Sequence, residues 1–189
     1  MARLIMWNVQ TLDGFFEGAK PWDLAMHETV WGEELEQFSL DQEKEVGMLL
    51  FGRATYQGMA DYWTKEEGPI ADFMNSVPKV VFSNTLDAAP WNNTRLVRGD
   101  AGDAVAALKR ENERDLFVFG SARLCDSLMR RDLFDEYRIC LAPIVLRSGT
   151  PLFKPNGDSH RLRLVESRQL ATGGLILRYV PFEPAPAAT

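Results

Sequence analysis

Cysteine and long apolar runs are scarce in this chain, and each scarcity excludes a class of protein. Only two cysteines occur, Cys125 and Cys140, both in apolar segments without CxxC spacing, so we expect buried free thiols and neither a disulfide framework nor a zinc site. No apolar run approaches the roughly 18 residues of a membrane span, and MARLIMWNVQ does not have the pattern of a signal peptide. We therefore expect a cytoplasmic protein.

Positive charge is also in deficit. The chain has 21 Lys and Arg against 27 Asp and Glu, a net charge of -6, and a pI near 5.0. Such a field repels phosphate backbones and anionic lipid headgroups, so neither nucleic acid nor a membrane is an expected partner. A small anion stays possible, because backbone amides and one or two arginines can outweigh a weak overall field locally.

Strands and helices alternate along the chain. Apolar runs and turn signals predict strands within 3–10, 47–52, 78–84, 94–99, 116–120 and 136–146, and helices within 33–46, 53–63, 70–76, 103–112 and 121–132, with Asp100 as an N-cap. Segments 161–170 and 175–180 flank Gly173-Gly174 and predict a closing hairpin. This order predicts a three-layer α/β/α domain over 1–182, with a mixed, mostly parallel sheet and a flexible tail at 183–189.

Two predicted strand-to-helix junctions look alike, LLFGRAT and FVFGSAR. In each, a buried strand ends at a glycine and small residues open the next helix, where unpaired N–H groups attract anions. Arg53 and Arg123 stand beside the two turns and can add charge-assisted hydrogen bonds. A single turn of this kind is common wherever a strand bends sharply, but a pair of them favours a ligand with a bridging diphosphate, such as a dinucleotide.

Several segments together resemble a known superfamily. After an N-terminal TLDGFF come LLFGRATYQGM, PKVVFSNTL and FVFGSARLCDSLMRRDLFDEYRICLAPIVLRSGTPLF. In this order they resemble the dihydrofolate-reductase-like superfamily, and within it the reductase domain of bacterial riboflavin-biosynthesis deaminase-reductases and its stand-alone relatives. The resemblance covers roughly residues 3–182. It implies a central mixed sheet, a nicotinamide cofactor bound across the strand ends, and a homodimer.

The resemblance also implies a set of cofactor-binding residues. Gly52, Arg53 and Thr55 would face the adenosine and phosphate side, and Ser83 and Asn84 the adenine ribose; Gly120, Ser121, Ala122, Arg123 and Leu124 would surround the pyrophosphate. Relatives commonly have an arginine where this chain has Asn84, and that cation can pair with the 2′-phosphate of NADPH. A neutral amide lacks this charge, so Arg53 or Arg98 would have to compensate if NADPH is the cofactor.

The acceptor side offers two ionisable candidates for a catalytic role, Asp13 and His27. In folate reductases a carboxylate stands five positions beyond the Trp of a Pro-Trp pair; here Pro21-Trp22 is present, but the fifth position is His27, which argues against folate. The alternatives are a turn residue for Asp13 and a surface side chain for His27. Trp7, Trp22, Trp31, Trp63 and Tyr56 could form a flat slot for a planar ring, although we expect more of them in the core.

We therefore predict an NADPH-dependent reductase that transfers hydride to a small polar substrate. The resemblance suggests 5-amino-6-(5-phosphoribosylamino)uracil as one such substrate, with Arg147 or Lys154 for its phosphate. The deaminase zinc signature, His-x-Glu with Pro-Cys-x-x-Cys, is absent, so reduction would occur without deamination. The alternatives are a nucleotide-binding regulatory module of the same fold without turnover, and a dimeric structural protein without a ligand.

Overall fold

The computed structural model describes residues 1–155 and 157–182; the tail predicted at 183–189 lies outside the described residues. The strands are β1 (Leu4–Thr11), β2 (Phe15–Glu17), β3 (Val46–Gly52), β4 (Lys79–Phe82), β5 (Thr94–Val97), β6 (Asp115–Phe119), β7 (Glu136–Ala142), β8 (Thr150–Pro151), β9 (Leu162–Gln169) and β10 (Leu175–Pro181). The helices are α1 (Glu33–Glu43), α2 (Arg53–Trp63), α3 (Pro69–Ser76), α4 (Ala101–Glu111) and α5 (Ala122–Met129), with a 3-10 helix at Ala25–Thr29.

Eight of these strands form one mixed sheet in the order β5-β4-β3-β6-β1-β7-β10-β9. The first six strands in this order, from β5 at the edge to β7, pair in parallel with their neighbours. Strand β10 pairs antiparallel with both β7 and β9. Strands β2 and β8 form a separate antiparallel pair. The predicted mixed, mostly parallel sheet with a closing hairpin is confirmed.

Helices cover both faces of the sheet, because alternate residues of a strand point to opposite sides. Leu4 and Met6 of β1 pack with residues of α4 and α5, whereas Ile5 packs with residues of α2 and α3. The central strands are therefore apolar on both faces, as parallel strands between two helical layers must be. Cys125 and Cys140 are buried free thiols, as predicted, and burial raises the pKa of each to about 12.

The sequence prediction was wrong at the end of β7 and incomplete near the N-terminus. The strand predicted over 136–146 ends at Ala142, because Pro143 has no N–H to continue the ladder. The short pair β2 and β8 and the 3-10 helix were not predicted, since segments of two to five residues are too short to show a periodic pattern. Within the part of the chain that the structure describes, every helix is too short or too polar to traverse a lipid bilayer.

An ionic network fixes the C-terminal end of α1 against the sheet. The carboxylate of Glu136 accepts hydrogen bonds from Arg138 (2.6 Å), Arg178 (2.8 Å) and Arg3 (2.9 Å). Arg138, only 1% exposed, also donates to Gln42 Oε1 at 3.1 Å. Burial by itself would raise the pKa of Glu136, but the hydrogen bonds and charges of Arg178 and Arg138 lower it.

Candidate active site

A cleft of about 780 Å³ lies at the carboxyl ends of β1, β3 and β6, where ligands bind in open α/β sheets. Strands β3 and β6 are neighbours, so the turns that lead from them into α2 and α5 lie side by side. Eight of the ten predicted cofactor residues line this cleft: Gly52, Arg53, Thr55, Gly120, Ser121, Ala122, Arg123 and Leu124.

The two turns are joined to one another. The Gly52 N–H donates to Ser121 Oγ at 2.8 Å, so that amide is already satisfied inside the protein. Gly120 has φ +60, and a Cβ on it would lie 2.9 Å from Thr55 Cγ2. Ser121 has φ 62 and ψ 56, a left-handed backbone that non-glycine residues adopt at an energetic cost. Glycine is therefore required at 120, and the bends form one packed unit.

Both helices begin without a side-chain cap. In α2 and α5 no side chain at the N-cap bonds a first-turn amide, whereas in α4 Asp100 Oδ1 accepts from Asp103 N at 2.9 Å. The first amides of a helix have no intrahelical partner and carry partial positive charge. At α2 and α5 these amides are therefore available to an anion in the cleft.

The charges that line the cleft are mostly positive, although the chain is acidic. Arg53, Arg123 and Lys154 line it, and none of the three forms an ion pair with another residue of 1–155 or 157–182. Glu17 is the carboxylate among the lining residues, and it accepts hydrogen bonds from Trp22 N (2.6 Å) and Thr150 Oγ1 (3.0 Å). The cleft thus combines three arginine or lysine side chains with helix N-termini, the chemistry that a diphosphate requires.

The other two predicted cofactor residues, Ser83 and Asn84, follow β4 and do not line the cleft. Ser83 Oγ accepts from the amides of Thr85 and Leu86, and Asn84 Oδ1 accepts from Gly99 N at 2.8 Å. Arg98 donates to the Leu86 carbonyl at 2.6 Å. These hydrogen bonds hold the loop that follows β4, and β4 is the neighbour of β3 in the sheet.

Asp13 is not brought to the cleft. Its Oδ1 accepts from Thr11 Oγ1 at 2.6 Å, and its carboxylate also accepts the amides of Leu146 (3.2 Å) and Arg147 (2.8 Å). The hydrogen bond from Thr11 is the largest of the effects that lower the Asp13 pKa. These contacts favour the alternative for Asp13, a turn residue that holds two loops together; its catalytic role stays a prediction from the sequence.

His27 lies where two cavities meet. It is part of the 3-10 helix Ala25–Thr29 and lines both the cleft and a second cavity of about 870 Å³. Burial lowers the pKa of His27 to about 4, so the imidazole is neutral at neutral pH. A neutral imidazole has one N–H donor and one acceptor nitrogen, and it can orient a substrate without adding charge.

Aromatic rings form much of the wall of this second cavity, which we call the aromatic cavity. Trp7, Trp22, Trp31 and Trp63 line it, together with Phe73, Phe119 and Tyr62. More of the five predicted slot residues were expected in the core, but only Tyr56 is absent from the wall; it is buried, and its hydroxyl accepts from Trp91 N at 2.9 Å. Four of the five predicted aromatic residues therefore line this cavity.

Trp22 separates the cleft from the aromatic cavity. Its backbone is left-handed, with φ 63, and it lines both spaces. The ring lies so close to Gly58 of α2 that a Cβ there would be 2.2 Å from the indole. Glu17 fixes the Trp22 amide from the other side. Trp22 of the Pro-Trp pair thus forms part of the wall between the cleft and the aromatic cavity.

Glu43 is a site residue that sequence analysis did not single out. It lies at the end of α1 in the acidic segment EELEQFSLDQEKEV and lines the aromatic cavity. Its Oε1 is buried and has no hydrogen-bond partner among the described residues. Nothing in the sequence distinguishes it from the other acidic side chains of this helix, because only the fold decides which of them faces inward.

Comparison with known proteins gives one family for this geometry. The model of the RibD C-terminal domain matches residues 2–176. The uncharacterized protein YyaP of Bacillus subtilis is 26% identical to the chain over 94% of each. The crystal structure of a putative riboflavin biosynthesis protein from Shewanella sp. PV-4 superposes with a TM-score of 0.79 at 23% identity, over 97% of this chain and 100% of that one.

A dihydrofolate reductase from Enterococcus faecalis, complexed with NADP(H) and RAB-propyl, also superposes. Its TM-score is 0.63 at 14% identity, over 96% of this chain and 97% of that one. At such identities, these two structures show a shared fold alone. The chain has the dihydrofolate-reductase-like fold that the resemblance implied.

Proposed function

Because the chain belongs to the RibD C-terminal domain family, we propose that it is an NADPH-dependent reductase that transfers hydride to a small substrate. The observation that carries this proposal is the cleft, where Arg53, Arg123 and Lys154 surround two helix N-termini without side-chain caps. A pyrophosphate is the ligand whose charge and size match such a set of donors.

The described residues suit the cofactor in a second way. Gly120 leaves the backbone of its turn bare, and a side chain there would press on Thr55 rather than leave room for a ligand. When bound, the nicotinamide supplies the hydride and so carries the difficult chemistry. The protein then has to position the two reactants, exclude water with Trp22, and offer the neutral imidazole of His27 to the substrate.

The preference for NADPH depends on a cation near the 2′-phosphate. Asn84 cannot supply it, and its side-chain oxygen is bonded to Gly99 N. Arg53 is exposed and lines the cleft at the start of α2, on the β3 side that adjoins β4. We assign Arg53 to the 2′-phosphate and Arg123, at the start of α5, to the pyrophosphate.

The phosphorylated ribosylamino-uracil of riboflavin biosynthesis is one candidate substrate. That substrate carries a phosphate and would need a cation to bind it. Of the two candidates, Lys154 lines the cleft, whereas Arg147 does not and its amide is bonded to Asp13. The homodimer and the cytoplasmic location stay predictions from the sequence.

The proposal is tested by titrating the protein with NADPH and with NADH while following tryptophan fluorescence. We expect NADPH to bind, and Arg123→Gln to raise its dissociation constant about tenfold by removing a charge-assisted hydrogen bond. Arg110→Gln, an exposed cation on α4 that does not line the cleft, is the matched control and should change nothing.

Failure of either cofactor to bind at millimolar concentration would reject the proposal. Binding of NADPH without oxidation, across a panel of pyrimidines, pterins and quinones, would instead identify a nucleotide-binding regulatory module with the same fold.

A further inference from the structure

The cleft and the aromatic cavity share a wall but differ in charge. Both are lined by Trp7, Trp22, His27 and Phe119, so a substrate in the aromatic cavity would border the cofactor cleft. The cleft has three Arg or Lys side chains in its wall, whereas none lines the aromatic cavity among residues 1–155 and 157–182. The ionisable groups of the cavity wall are His27, the phenol of Tyr62 and the carboxylates of Asp23, Glu28 and Glu43.

A phosphate is therefore poorly suited to the aromatic cavity. It would meet carboxylates and no compensating cation, and like charges at short range disfavour binding. The apolar rings of the wall instead suit a flat, uncharged ring, because stacking on an aromatic face buries apolar surface with defined geometry. The charge of the wall thus selects against a phosphate inside the aromatic cavity. Lys154, the cation available to such a phosphate, lines the cleft that we assign to the cofactor and not this cavity.

The unpartnered oxygen of Glu43 indicates what this ring must carry. A buried carboxylate oxygen without a hydrogen bond is energetically unfavourable, and protein interiors generally avoid it. Two other polar groups of the wall have protein partners: Ser39 Oγ donates to the Leu35 carbonyl at 2.9 Å, and Gln42 Oε1 accepts from Arg138. Burial also raises the pKa of Glu43.

The backbone that carries Glu43 is held in position from two directions. Arg114 donates to the backbone carbonyls of Glu43 (3.2 Å) and Lys44 (2.9 Å), which closes the end of α1. The neighbouring Gln42 is fixed by the buried Arg138. Because this end of α1 is fixed, a ligand that binds Glu43 has to order only the Glu43 side chain and not the backbone.

We propose that the aromatic cavity binds the hydride acceptor as an uncharged planar heteroaromatic ring that carries no phosphate and donates an N–H to Glu43 Oε1. The proposal rests on the reductase function proposed above. NADPH is oxidised to NADP⁺ as its hydride passes to the carbon of a C=N bond on the acceptor, and a solvent proton on the nitrogen completes the reduction. In a ribosylaminouracil this C=N bond is the imine that forms when the ribose ring opens, beside the planar ring. Glu43 is thus a substrate-binding residue and His27 borders the site of transfer.

The experiment uses two compounds that differ only in the phosphate. The NADPH-loaded protein is titrated with 5-amino-6-ribosylaminouracil and with its 5′-phosphate, and both binding and loss of NADPH absorbance are measured. We expect the phosphate-free compound to bind at least tenfold more tightly, because the cavity wall repels the phosphate.

Two variants examine the role of Glu43 itself. Glu43→Gln keeps the shape but removes the charge, so it should raise the dissociation constant of the phosphate-free compound about tenfold and leave that of NADPH unchanged. Glu36→Gln makes the same change at an exposed position of α1 outside both cavities and is the matched control. Without ligand, Glu43→Gln should unfold at the same temperature as the parent or at a higher one. If Glu43 instead stabilised the fold, the variant would unfold at a lower temperature.

The outcomes separate this inference from the function on which it rests. Equal or tighter binding of the phosphate, an unchanged affinity in Glu43→Gln, or no binding of either compound while NADPH is bound would each overturn the acceptor assignment and leave the reductase proposal standing. Absence of NADPH binding itself would reject both.

Discussion

Gly120→Ala should destabilise the protein through two separable effects. The residue has φ +60, and a left-handed alanine costs about 1–2 kcal/mol relative to glycine. The added Cβ would also lie 2.9 Å from Cγ2 of the buried Thr55, and overpacking of this kind costs roughly 1–3 kcal/mol. Together these costs predict a fall of about 10 °C in the melting temperature of a chain of this size.

Three further variants, Thr55→Ser, Gly120→Ala/Thr55→Ser and Gly14→Ala, separate the clash from the backbone strain. Thr55→Ser removes Cγ2, so the double variant Gly120→Ala/Thr55→Ser should recover the part of the loss that the clash causes. Gly14 has φ +88, and a Cβ added there would have no atom within 4 Å. Gly14→Ala should therefore lower the free energy of unfolding by about 1–2 kcal/mol through backbone strain alone.

The assay is thermal and urea unfolding of the four proteins beside the parent, with NADPH titration of each folded variant. The single Gly120→Ala variant should also bind NADPH more weakly, because the displaced turn carries amides that face the cleft. If the double variant is no more stable than the sum of its single changes predicts, Thr55 does not make glycine necessary at 120, and the packed arrangement of the two bends is refuted.

Two other predictions concern buried ionisable groups. His27 has a pKa of about 4 against an ordinary value of 6.5, so the folded protein resists its protonation; stability should fall as the pH drops from 6.5 towards 4, and His27→Gln should flatten this fall in urea unfolding. Glu136 has a lowered pKa, so its stabilising effect is complete above 4.5 and is lost as the pH falls further. Glu136→Gln should cost about 3 kcal/mol at neutral pH, measured by urea unfolding, because Arg138 would keep its charge without its buried partner; a loss under 1 kcal/mol would contradict this reasoning.

Much of the fold could be predicted because local sequence signals agree with the final packing. LLFG and FVFG read as buried strands ending in turns, and both do so in the structure. Asp100 was predicted as an N-cap and accepts from Asp103 N. The order of the strands in the sheet depends on contacts between distant segments, so periodicity could not supply it.

The candidate site divides along the same line. The turns at Gly52 and Gly120 were found because each glycine stands between an apolar strand and the start of a helix in the sequence. That the two turns lie side by side depends on the order of the strands in the sheet. The contacts of Asp13 could not be predicted from its Asp-Gly pair, because the amides of Leu146 and Arg147 that it binds come from more than 130 positions away. Glu43 was missed since a helix rich in carboxylates gives no sign of which one turns towards the cavity.

The hydrogen bond from the Gly52 amide to the Ser121 hydroxyl has a consequence for engineering the cleft. Residues 52 and 121 are 69 positions apart in sequence, yet this bond joins them, so a displacement of one turn is transmitted to the other. A substitution in one turn will therefore change ligand affinity at the other. Libraries that vary one turn at a time will not predict the affinity of variants changed in both. Such designs should treat both turns as a single mutational unit.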